Sequence, residues 1–217
     1  MPLGALDDVP ADTFVIAADS GIDYAVAHGR HVDLAVGDFD SVSADALAAV
    51  EADGAVVDRH PTTKDKTDFE LALDHAAARS PGHIVVIGGH GGRIDHVLGN
   101  ASVLLSDSYA AMTIEARMGD AVVHVVRDRV DLVGEPGDLV TLLALIGPVA
   151  GITTTGLRYA LDDATLWPGS SRGVSNELLR NGGSVLVVEG ALLVVHLRLR
   201  PIRLRGRVWL GDQLLDE

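Results

Sequence analysis

The chain has no cysteine among its 217 residues. That excludes disulfide stapling and thiolate-bound zinc or iron–sulfur sites. Positive charge is also scarce. Seventeen Lys and Arg stand against 31 Asp and Glu, for a formal net charge of −14. Nucleic-acid binders usually carry a basic face, so DNA and RNA are poor partners. An acidic chain that handles an anionic ligand needs local cations to offset its own repulsion. No apolar run reaches 18 residues, and no charged segment precedes an apolar stretch at the start. The expectation is a cytoplasmic protein with no membrane partner. Lysine is nearly absent, since only Lys64 and Lys66 occur and every other basic residue is arginine.

Hydrophobic residues make up 47% of the chain, enough for one large core or two smaller ones. The first half alternates strand-like and helix-like segments. Strands are predicted at 13–18, 33–36, 55–58 and 83–87, and helices at 22–28, 44–52, 67–79 and 93–105. Thr67 and Glu70 have capping-box spacing at the third helix. This alternation predicts an α/β domain, with a mostly parallel sheet flanked by helices. From Thr113 onward the apolar runs are short and β-branched. Turn residues such as Gly119-Asp120, Pro136-Gly137-Asp138 and Asn181-Gly182-Gly183 separate them. A C-terminal antiparallel β-sandwich or barrel follows. The expected domains are 1–111 and 112–217.

Ligands of open parallel sheets bind beyond the carboxyl ends of the strands. Asp19, Asp38, Asp40 and the Gly88-Gly89 loop fall there. Asp38 and Asp40 are two apart, so an extended chain would point both to one side. Two carboxylates so placed repel unless a cation lies between them, and hard oxygen ligands suit magnesium. A plain polar turn would explain the same five residues. The second cluster, Lys64-Asp65-Lys66-Thr67-Asp68, gathers both lysines around one aspartate at a helix N-terminus, where anions are favoured. Capping explains Thr67 and Glu70 but not the lysines. The third cluster runs from Gly88 to His96. Its glycines permit close backbone approach, and Arg93, His96 and Asn100 have the spacing of one helix face. It is neither a Walker A loop nor a dinucleotide fingerprint.

Taken together, these clusters resemble the thiamine pyrophosphokinase family. The carrying residues are Ala18-Asp19-Ser20-Gly21, Gly37-Asp38-Phe39-Asp40-Ser41, the stretch from Lys64 to Glu70, and the stretch from Gly88 to His96. Thr155-Gly156-Leu157-Arg158-Tyr159 and Gly173-Val174-Ser175-Asn176-Glu177 continue the match. The resemblance implies attack of the thiamine hydroxyl on the β-phosphorus of ATP, releasing AMP, in a homodimer with active sites between subunits. By motif, Asp38, Asp40, Asp65 and Asp68 would hold Mg²⁺, and one of them would take the hydroxyl proton. Asp19, Gly21, Lys66, Thr67, Gly88, Gly89, Arg93, Asp95 and His96 would contact ATP or orient the site. Ser175 and Asn176 would hydrogen-bond the aminopyrimidine of thiamine.

One departure stands out. Related enzymes often place a tryptophan in the last motif, but Gly190 to Val195 contains no aromatic. Trp167 and Trp209 are the candidate substitutes, and core or interface packing is the plainer reading of both. The tail arginines Arg198, Arg200, Arg203, Arg205 and Arg207 read as a solvated strand face, or an interface pairing with the acidic remainder, rather than as a phosphate-gripping arm. Of the histidines, His96 alone falls in a functional constellation, with His60 and His90 at the borders. Competing readings are a diphosphokinase for another hydroxymethyl heterocycle such as a pterin, a haloacid-dehalogenase-like phosphatase built on Asp38-Phe39-Asp40, and a thiamine or nucleotide sensor without catalysis.

Overall fold

The computed structural model describes Leu6 and residues 9–198, together with the strand backbones at 202–204, 207–210 and 213–215. Arg200 and Arg205 lie outside the described residues, as do the side chains of Arg203, Arg207 and Trp209. The chain divides into two compact units, Met1–Gly119 and Asp120–Glu217.

The first unit alternates as the sequence predicts. Its elements are β1 (Ile16–Ala18), α1 (Gly21–Ala27), β2 (Leu34–Gly37), α2 (Ala44–Ala52), β3 (Val56–Arg59), α3 (Asp68–Ala78), β4 (His83–Ile87), α4 (Ile94–Leu104) and β5 (Thr113–Met118). Strands β1, β2 and β3 form a parallel sheet in that order, with Ala18 opposite Val36 and Val36 opposite Asp58. Strand β4 pairs with β5, also parallel, and not with the first three strands. Because β5 is bound to β4, the first unit runs to Gly119, past the expected division at residue 111.

All four residues of β2 are buried, as a central strand requires. Ala17, Ala35, Ile22, Ala25, Ala46 and Val50 pack into one cluster that joins β1, β2, α1 and α2. The alanines at these positions let the helices approach the strands closely. Helix α2 starts at Ser43, whose side chain accepts from the Ala46 amide, and α3 starts at Thr67, whose Oγ1 accepts from Glu70 N at 3.2 Å. The other half of the capping box is diverted, because the Glu70 carboxylate faces Lys66 Nζ at 3.3 Å.

The second unit is antiparallel. Its strands are β6 (Ala121–Val126), β7 (Arg129–Leu132), β8 (Leu139–Leu143), β9 (Val149–Thr155), β10 (Ala164–Leu166), β11 (Asn176–Glu177), β12 (Gly183–Leu186) and β13 (Leu192–Leu197). Strand β13 lies between β6 and β8, with β11 beyond β8, while β12 lies between β7 and β9, with β10 beyond β9. One buried cluster draws on both sheets, with Val140, Leu142, Leu192 and Val194 from the first and Ile152, Leu166 and Val185 from the second. Three further short strands, β14 (Ile202–Leu204), β15 (Arg207–Leu210) and β16 (Gln213–Leu215), pair antiparallel in sequence. Among the described residues, no helix is long and apolar enough to cross a membrane.

Candidate active site

The parallel pairing of β1 and β2 brings their carboxyl ends side by side, and Asp19 N donates to Val36 O at 3.2 Å. Both strands then turn through left-handed backbone, at Asp19 (φ 46°) and at Phe39 (φ 63°). Non-glycine residues adopt that region only when their surroundings hold them there. The Phe39 ring is buried in the core of the first unit, and the Arg59 guanidinium carbon lies 4.7 Å from its centroid. Phe39 thus anchors the turn. The chain is not extended between Asp38 and Asp40, so simple alternation does not explain how they converge. The turn does, and one oxygen each of Asp19, Asp38 and Asp40 falls within 4.8 Å of the others.

Lys64 reaches into this group. Its Nζ lies 3.2 Å from Asp38 Oδ2 and 3.1 Å from Asp68 Oδ1. Arg59 Nη1 donates to the Asp38 carbonyl at 3.3 Å. The Asp40 amide donating onto Asp38, with the Lys64 ammonium beside it, holds the Asp38 carboxyl below the usual carboxylate range despite desolvation. Asp19 goes the other way. Burial pushes its carboxyl up and the nearby Asp68 charge adds to that, while hydrogen bonding from Ser41 opposes it. Asp19 Oδ1 is buried with no hydrogen-bond partner.

The donor set fits a hard divalent cation. Lys64 brings one positive charge against Asp19, Asp38, Asp40 and Asp68, and a buried carboxylate oxygen is left without a partner.

The other predicted residues are spread more widely. Asp65 is exposed and lies outside the group of three carboxylates. Lys66 is drawn along α3, with Nζ 2.6 Å from Asp74 Oδ2, and Asp74 Oδ1 accepts from Tyr109 OH at 3.0 Å. Gly21 opens α1, with open space around its α-carbon. Gly88 and Gly89 have φ of 99° and 77°, and a Cβ on Gly89 would stand 3.1 Å from the Phe69 ring. Asn100 Nδ2 donates to Gly89 O at 2.9 Å, tying this loop to α4. Arg93 and Asp95 pair at 2.5 Å, which holds the Asp95 carboxyl down to about 2, and both are exposed along with His96. Arg93 is the N-cap, with φ −103° and ψ 111°, so it stands outside the helical register. Arg93, His96 and Asn100 therefore do not form one face, and Asn100 is buried.

In the second unit Ser175 is exposed at φ 57°, and its amide donates to Thr141 Oγ1 at 3.1 Å. Asn176 is buried. Its Oδ1 accepts from Tyr159 N and Glu177 N, each at 2.9 Å, and its Nδ2 donates to Tyr159 O at 2.8 Å. That amide holds the Tyr159 backbone in place. Trp167 is 62% exposed, so it is not a core residue, whereas Val194 in the last motif is fully buried.

A parallel α/β unit with clustered carboxylates and a lysine at its strand ends, followed by an all-antiparallel unit, is the build of a two-part phosphotransferase. Residues 9–115 match the thiamin pyrophosphokinase catalytic domain, and residues 123–192 match the thiamin pyrophosphokinase vitamin B1 binding domain. The thiamine pyrophosphokinase of Bacillus subtilis is 28% identical over 172 residues, which span 75% of this chain and 77% of that one. The crystal structure of the Bacillus subtilis thiamine pyrophosphokinase superposes with a TM-score of 0.77, covering 89% of this chain and 92% of that one. The thiamin pyrophosphokinase structure from Geobacillus thermodenitrificans is 30% identical, with a TM-score of 0.73 and coverage of 90% and 91%. The chain belongs to the thiamine pyrophosphokinase family, whose members are ATP-dependent diphosphotransferases.

Proposed function

We propose that the chain transfers the diphosphoryl group of ATP to the hydroxyl of thiamine, and that the carboxylates at the ends of β1 and β2 are the reaction centre. The observation that carries this is the convergence of Asp19, Asp38 and Asp40 around a buried oxygen with no partner, next to Lys64. Asp19, Asp38 and Asp40 hold Mg²⁺, which when bound offsets the charge of the polyphosphate. Lys64 helps keep Asp38 ionised and holds the Asp38 and Asp68 side chains in place. The thiamine hydroxyl oxygen forms a bond to the β-phosphorus, the bond from that phosphorus to the α,β-bridging oxygen breaks, and AMP departs. The hydroxyl proton passes to a carboxylate of the group. Phosphoryl transfer needs in-line positioning and charge neutralisation more than covalent help; the fixed carboxylates would serve the first by holding the cation in place, and the bound Mg²⁺ would supply the second.

The glycine loop before α4, with Arg93, Asp95 and His96 exposed beyond it, offers a surface for the nucleotide. The antiparallel sheets are read as a sandwich that binds thiamine through Ser175, with Asn176 fixing the neighbouring backbone. A homodimer in the cytoplasm, with active sites between subunits, completes the reading.

Incubation with Mg²⁺, ATP and thiamine tests it. AMP and thiamine diphosphate should appear in equal amounts. Orthophosphate without AMP, or equal turnover of a hydroxymethylpterin, would reject it.

A further inference from the structure

Asp58, His60 and His75 form a second group of ligating side chains in the first unit. Asp58 lies on β3, His60 follows that strand directly, and His75 is in the last turn of α3. His60 Nε2 stands 3.1 Å and His75 Nε2 2.7 Å from the same oxygen, Asp58 Oδ2. The three ligand atoms lie within 4.8 Å of one another. The side chains are 38%, 28% and 35% exposed for Asp58, His60 and His75, sheltered but open to an entering ion.

We infer that Asp58, His60 and His75 form a site for a borderline divalent transition-metal ion such as zinc, separate from the carboxylates that face ATP. In a tetrahedral shell with bonds of about 2.0–2.1 Å, neighbouring ligand atoms are roughly 3.3 Å apart. The two nitrogen–oxygen separations are already close to that, so side-chain shifts of well under a bond length admit the ion. Two imidazoles and one carboxylate select zinc, cobalt or nickel over magnesium, which prefers oxygen throughout. Water completes the shell.

The placement gives the ion a structural task. Its ligands bracket the segment that carries Lys64 and Asp68, with Asp58 and His60 before it and His75 after. His60 N also donates to Gly37 O at 2.9 Å, one residue before Asp38. An ion here ties β3 to α3 and fixes both ends of the lysine-bearing loop.

The test uses the full chain, stripped with chelator and kept in excess Mg²⁺ so that oxygen sites are filled. Titration with Co²⁺ should give visible d–d absorption that saturates at one ion per chain, and Zn²⁺ should displace it. Zn²⁺ should raise the unfolding midpoint by several degrees. His75→Gln should abolish the absorption and the shift, whereas Asp38→Asn should leave both intact. X-ray absorption on the zinc-loaded native chain should show two imidazoles in the shell, a readout that needs no variant. No saturable binding at about 100 μM metal, a shell without imidazole, or loss of the signal in Asp38→Asn would each overturn the site. None of these readings depends on turnover with thiamine.

Discussion

Gly37 lies so close to Asp68 that a Cβ added to it would stand 3.0 Å from Asp68 Oδ1. Its φ of 145° is also one that side-chain-bearing residues rarely adopt. Gly37 is the last residue of β2, and Asp68 is the first of α3. Glycine here lets the helix N-terminus settle onto the strand end, where Lys64 bridges Asp68 to Asp38. Gly37→Ala should therefore strain the backbone and push Asp68 off Lys64. The expected outcome is a loss of about 1–3 kcal/mol in denaturant unfolding, with a larger proportional loss of diphosphotransfer. Unchanged stability and turnover would show that the close approach has no consequence.

Asp19 gives a prediction that runs against the usual effect of removing a residue from a candidate active site. Its pKa is raised in the fold, chiefly by burial. An acid whose folded pKa exceeds its unfolded value disfavours the fold once ionised, and stability recovers as pH falls through the folded pKa. Asp19→Asn removes that charge. Without metal at neutral pH, the variant should melt a few degrees above the native chain, with the gap closing toward pH 4. Added Mg²⁺ should stabilise the native chain and not the variant. Scanning calorimetry with and without Mg²⁺ reads both effects, and a variant of lower metal-free stability would contradict the assignment.

The motifs make Asp38 and Asp65 equal candidates, but the two side chains sit in different surroundings. Asp38 sits 11% exposed beneath Lys64, while Asp65 is exposed and outside the carboxylate group. Asp38→Asn should lower kcat by roughly 10²–10³, the scale of losing one group aimed at developing charge. Asp65→Asn should change kcat less than about tenfold. A larger effect at Asp65 would mean that the loop closes onto ATP and recruits it.

These contrasts mark what the sequence could express. Strand β4 and helix α2 follow from local runs of apolar and helix-forming residues, so their bounds could be read directly. The residues at the ends of β1 and β2 were visible as acidic punctuation after apolar runs. Their convergence was not, because it depends on left-handed turns at Asp19 and Phe39 that no residue type announces. The meeting of His75 with Asp58 is equally silent in sequence, being a contact between a helix and a strand 17 residues apart. Counting along the sequence puts Arg93 on a helix face, but the helix begins one residue later.

Trp167 offers a test of the missing aromatic. The last motif contributes buried Val194 and no aromatic, while Trp167 stands 62% exposed on the same unit. If Trp167 supplies the stacking surface for the cationic thiazolium, Trp167→Ala should raise the KM for thiamine roughly 5–30-fold, matching a cation–π contribution of about 1–2 kcal/mol. The KM for ATP should not move. Thiamine should also quench Trp167 fluorescence, and a variant with native KM would exclude this residue.

The buried pair of His196 and Asp138 should make the stability of the second unit pH-dependent. His196 is 1% exposed, and its Nε2 lies 3.2 Å from Asp138 Oδ2. There is little slack around it, because a Cβ on Gly134 would come within 2.5 Å of Asp138 Oδ2 and 2.8 Å of the His196 ring. Burial lowers the His196 pKa below its ordinary 6.5, the neighbouring Arg198 acts the same way, and the Asp138 carboxylate opposes them without prevailing. With a depressed folded pKa the unfolded chain binds the proton more readily. The contribution is therefore fully present above pH 6.5 and is lost as pH falls toward the folded value. The limiting slope for one such group is about 1.4 kcal/mol per pH unit. His196→Gln should be less stable than the native chain at pH 7.5, yet lose less further stability on going to pH 5.5. Denaturant titrations at the two pH values measure the difference of differences, which cancels the other titrating groups common to both proteins. Equal losses in the two proteins would mean that His196 stays in one protonation state throughout.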